Sequence, residues 1–151
     1  MKRNGNHNFA WGRATIIALA LLLPGMMVAP AVAAAGITTS PPASFKKVSS
    51  LVKLPDFLPG LGTLYVDPAT LPIGPFLGYN HKGKLVNITY MVPLKDLDAR
   101  KNFETLGGVA AGMKISHTDI QYNPGHPGVE EPHYHIVQWL ISPAAVKAEM
   151  Q

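Results

Sequence analysis

Between Leu85 and Val92 the side chains Val86, Ile88, Tyr90 and Val92 alternate with Asn87, Thr89 and Met91, a period of two that assigns each set to one face of a strand. The run Phe76 to Asn80 precedes it, and His81-Lys82-Gly83-Lys84 between them has the composition of a tight loop, so the pair predicts a β-hairpin with His81 as a solvated turn residue. Gly62 to Asp67 reads as a shorter strand ended by Pro68. Met113 to Tyr122 alternates as well, with Ile115, His117, Asp119 and Gln121 on one side. A last strand is expected from His133 to Ile141, with His133, His135, Val137, Trp139 and Ile141 on one face.

The period changes between Pro93 and Leu106, where Leu94, Leu97, Phe103 and Leu106 suit one face of a helix that Gly107-Gly108 would stop. Ser142 followed by Pro143 reads as an N-cap and first helical residue, opening a short helix through Ala144 to Met150. The expected fold class is α+β, a mainly antiparallel β-sheet with one mid-chain helix and a short C-terminal helix.

The first 35 residues follow another logic. Lys2, Arg3 and Arg13 form a positive head and Ala14 to Leu23 is wholly apolar. Pro24-Gly25 follows, and Ala31-Val32-Ala33 and Ala33-Ala34-Ala35 offer small-x-small cleavage sites. Residues 1–35 therefore read as a secretory signal peptide cut after Ala33 or Ala35, which predicts a periplasmic or secreted protein with no stable membrane span after cleavage. Residues 36–50, rich in Ser, Thr and Pro, read as a flexible linker, and 51–151 as a single exported domain. Leu51 to Leu61 is apolar but broken by Pro55 and Pro59, so it predicts an irregular arm that packs across its own domain or docks on a neighbour.

Of 13 basic residues, three lie in the signal, which leaves ten against nine acidic ones; this balance offers no basic patch for nucleic acid. The chain has no cysteine and therefore no disulfides. A domain of this size buries a modest fraction of its surface, and a homo-oligomer is a reasonable expectation.

Candidate chemistry concentrates in Asn123 to Trp139. His133 and His135, two apart on a strand, project the same way with Cα atoms about 6.5 to 7 Å apart. His126 precedes a Pro/Gly loop able to fold back over them, and His117, with Asp119 two residues on, would face the same centre if the two last strands pair. Imidazole nitrogens suit a transition metal such as Zn, Cu, Ni or Fe and not Mg or Ca. The bland reading is a non-enzymatic interaction or assembly module whose histidines are structural, with Glu130 and Glu131 pairing to protonated rings; a pH switch is a third. The His-x-His pair matches the cupin pattern in part, but no Glu follows in Ile136 to Ile141. Hydrolase elbows, His-Glu-x-x-His and phosphate-binding glycine loops are missing, and the sequence assigns no catalytic residue.

Several segments together resemble an exported bacterial domain family of unknown function typified by a Thermus protein. They are Leu64-Tyr65-Val66-Asp67-Pro68, Leu71-Pro72-Ile73-Gly74-Pro75, Gly83-Lys84-Leu85-Val86 running into Tyr90-Met91-Val92-Pro93, and Asn123-Pro124-Gly125-His126-Pro127-Gly128-Val129 followed by Pro132-His133-Tyr134. The resemblance covers roughly Gly62 to Ile141. It implies an exported α+β domain able to self-assemble, without an established reaction. In the family the last run continues Pro-His-aromatic-Asp-x-His; here His135 stands at the Asp position and Val137 at the second His. A ligand set carried over from the family keeps His126 and His133, substitutes His135 and loses one member.

Overall fold

The computed structural model describes residues 40–107 and 113–151; the expected signal peptide lies outside them. One six-stranded sheet, antiparallel throughout, runs in the order β1-β2-β3-β4-β6-β5. Its strands are β1 (Lys46–Lys47), β2 (Thr63–Val66), β3 (Phe76–Tyr79), β4 (Leu85–Pro93), β5 (His117–Asn123) and β6 (His133–Trp139). The fold is thus mostly β, with two short helices, α1 (Leu94–Asp98) and α2 (Pro143–Glu149). None of the helices among the described residues is long and apolar enough to cross a membrane.

The β3–β4 hairpin forms as the alternation predicts, and Asn80 Oδ1 closes its loop by accepting from the backbone N–H of Lys82 and Lys84. His81 is not simply solvated: its ring stacks on Phe57 with centroids 3.7 Å apart. The register shifts between Gly78 and Tyr79, so Tyr79 pairs with Leu85 and leaves Val86 as the extra residue of a bulge. Leu85 instead of Val86 consequently packs with Ile88 and Tyr90, against Leu77 and Tyr79. Val86 joins Val137, Trp139, Ile141 and Met150.

The helix expected across Pro93 to Leu106 stops at Asp98. Arg100 turns the chain at φ 57°, and Lys101 ties back to Asp96 through its backbone N–H and a 2.6 Å ion pair. Leu97 and Leu106 stay 43% and 39% exposed, so no buried face rewards further helix. The C-terminal helix has its expected cap, Ser142 Oγ accepting from Ala145 N at 3.3 Å, and Pro143 in its first turn.

The sheet begins at Lys46, inside the stretch read as a linker, because Phe45 finds a place against the Leu77–Tyr79–Ile88 cluster. The arm that follows lies on its own domain. Phe57 and Leu61 pack on the Trp139 cluster, Gly60 N donates to Met150 O at 2.7 Å, and buried Asn87 donates from Nδ2 to Leu61 O at 2.9 Å. Prolines and a peptide backbone that cannot join the sheet are thus held from beneath by single hydrogen bonds and apolar contact.

Candidate metal centre

β6 lies between β4 and β5, so its residues are paired on both edges. His133 stands opposite Pro93 and Asn123, and His135 opposite Met91 and Gln121. The strand period of two sends both imidazoles to the face covered by the arm, where their exposures are 0% and 7%. Their Nε2 atoms are 3.0 Å apart.

His126 reaches them from the loop between β5 and β6. Asn123 Oδ1 accepts from Gly125 N at 2.8 Å, opening the turn. His126 and Val129 then exchange backbone hydrogen bonds of 2.8 and 2.9 Å. Gly128 makes that return possible with φ +92°, and a Cβ there would sit 2.7 Å from Val52 Cγ1 of the arm. The half-buried His126 ring ends with its centroid 4.9 Å from that of His133 and 5.7 Å from that of His135. One ligand atom from each of the three rings lies within 4.8 Å of the others, so the trio could hold a metal ion.

Backbone carbonyls set the tautomers. His133 Nδ1 is 2.7 Å from Glu131 O and His126 Nδ1 is 3.1 Å from Pro127 O. A carbonyl only accepts, so each Nδ1 carries the hydrogen and each neutral ring presents an Nε2 lone pair. A tetrahedral ion with bonds of about 2.0 to 2.1 Å holds its nitrogens roughly 3.3 Å apart, so a small tilt opens the His133/His135 pair and His126 must move inward. Burial first, then the neighbouring His133 and His126, push the His135 pKa down to about 4, leaving a neutral ring at pH 7.

His117 is not brought to the other three. It lies on the same face but opposite Trp139, and its ring stacks on that indole at 6.0 Å. Four strand positions separate Trp139 from His135, roughly 13 Å at 3.3 Å per residue. Asp119 is also taken, its Oδ2 accepting from Trp139 Nε1 at 2.9 Å. Nor does Glu131 pair with a histidine through its carboxylate, which meets Lys95 Nζ at 2.7 Å. Val137, at the family's second His, is fully buried against Trp139.

What the strand pattern does not reveal is the cavity of about 330 Å³ beside the rings, bounded by His126 and His135, by Thr89 and Met91 of β4, and by the arm. The apolar yet proline-broken run from Leu51 to Leu61 is its only trace in the sequence.

Fold and site together define an antiparallel-sheet domain with three convergent histidines beside an apolar cavity. The crystal structure of the hypothetical protein TTHB210 from Thermus thermophilus is similar to it at 44% sequence identity and a TM-score of 0.57, over 64% of this chain and 87% of the Thermus chain. The chain belongs to the family of that Thermus protein. No protein-family model matches it, and no curated protein does.

Proposed function

We propose that this protein is an exported transition-metal-binding domain in which Nε2 atoms of His126, His133 and His135 ligate one ion. The observation that carries this reading is the convergence of three rings, two of them with Nδ1 engaged by a backbone carbonyl and Nε2 left for a ligand. Nitrogen donors favour Zn, Cu, Ni or Fe, and three protein ligands leave a coordination position for something else. The positive head and apolar stretch of residues 1–35 support export; finding the intact N-terminus on cytoplasmic protein would remove that part.

The test is metal analysis of the purified protein by mass spectrometry after loading with Zn or Cu and desalting. One ion per chain is expected, with loss of most of it in the His133→Ala, His135→Ala double variant. An unchanged metal content in that variant would sink the reading. The rival, histidines that are purely structural in an interaction module, draws on the 3.0 Å His133–His135 contact, in which His135 Nε2–H donates to His133. It requires that added metal leave thermal stability unmoved. Self-association is supported by Ile120 and Tyr122, which are 68% and 56% exposed on the edge strand β5; a monomeric mass in sedimentation would exclude it.

A further inference from the structure

The cavity beside the histidines has a composition that a bare metal site does not require. Its arm wall is built from residues such as Val52, Leu54 and Leu58, and its sheet wall from Val66, Phe76 and Met91. The polar residues among those lining it gather around the histidines: Asn123 is the partner of His133 across β5–β6, and Thr89 faces Val137, two residues from His135. From β6 to Val66 on β2 the sheet crosses three strand spacings, roughly 14 Å, which matches an extended chain of about ten carbons. At about 330 Å³ the volume falls at the small end of ligand sites.

Charge narrows the class further. Three neutral imidazoles leave a divalent ion with its whole charge, and no acidic side chain lies among the residues lining the cavity. Asp119 is held by Trp139 and the Glu131 carboxylate by Lys95. A cation held beside apolar walls is stabilised by an anion that reaches it through the cavity, because those walls offer it few dipoles of their own.

We propose that the cavity receives the hydrocarbon tail of a medium-chain carboxylic acid whose carboxylate completes the coordination of the ion held by His126, His133 and His135. This rests on the metal-binding reading, and the two are separated by measuring metal uptake first, without any acid present. Decanoate is then titrated calorimetrically into metal-loaded and metal-free protein, beside acetate and decanol. One decanoate per ion is expected, with acetate at least a hundredfold weaker for want of the tail. Decanol and the metal-free protein should each lower affinity at least tenfold for want of the charge pair. Leu54→Trp, which fills the cavity from the arm, should keep the ion and weaken decanoate at least tenfold; Leu58→Phe serves if that variant does not fold. Metal uptake with decanoate no tighter than acetate, or decanoate binding equally well without metal, overturns this proposal and leaves the metal site standing. Failure to take up metal overturns the metal reading itself, and this one with it.

Discussion

His135 couples the centre to pH. Its folded pKa of about 4 lies below the value near 6.5 of an exposed histidine, chiefly through burial. The unfolded chain therefore binds a proton that the folded one refuses as pH falls from about 7 toward 4, so stability decreases through that window and levels off below it. For the metal-free protein, chemical denaturation at pH 7 and pH 5 should show the lower midpoint at pH 5, and His135→Phe should flatten the difference. His117 has a different expected behaviour. Because it stacks on Trp139 and not on the other rings, His117→Ala should leave metal stoichiometry unchanged while destabilising the fold by about 1 kcal/mol, readable by metal analysis and thermal melting. The pairing of His133 with His135 is legible in the sequence, since two positions on a strand fix a common face. The distance of His117 is not, since periodicity assigns a face but says nothing of position along it until the register is known.

At the scale of elements, the bulge at Val86 and the arm are one device. Gly78 leaves room for Asn87 from the neighbouring strand, and a Cβ at Gly78 would lie within 2.6 Å of Asn87 Cγ. Asn87, fully buried, then spends its Nδ2 on Leu61 O and accepts from Thr89 Oγ1 at 3.2 Å. Asn87→Leu should leave that carbonyl and hydroxyl unpaired and destabilise by about 1–3 kcal/mol in urea titration. Gly128→Ala should act on the same arm from above, by forcing a side chain toward Val52 at an unfavourable φ, and its metal affinity should fall as His126 is displaced. The hairpin and C-terminal helix are predictable because their loop and cap residues act locally. The mid-chain helix is over-read because Leu97, Phe103 and Leu106 have helical spacing but no partner layer, and only the tertiary fold decides whether such a face is buried.

For the whole molecule, the domain boundary falls earlier than composition suggests. Ser, Thr and Pro content marks residues 36–50 as tether, yet Phe45 and the two-residue strand β1 engage the sheet, Lys46 and Lys47 opposite Val66 and Tyr65. A chain beginning at Leu51 should therefore melt at a lower temperature than one beginning at Gly36, with equal midpoints disproving the engagement. The hydrogen bond from Gly60 to Met150 carries a further consequence, one of timing. It joins the arm to Met150 at the C-terminal end of α2, and contacts of such long sequence separation are slow to form. Asn87 and Trp139 already hold the arm from the strands, and the bond to Met150 adds the contact that closes its tip. The cover over the centre is therefore complete only once α2 has docked, and the speed of that docking sets how long the histidines stand open.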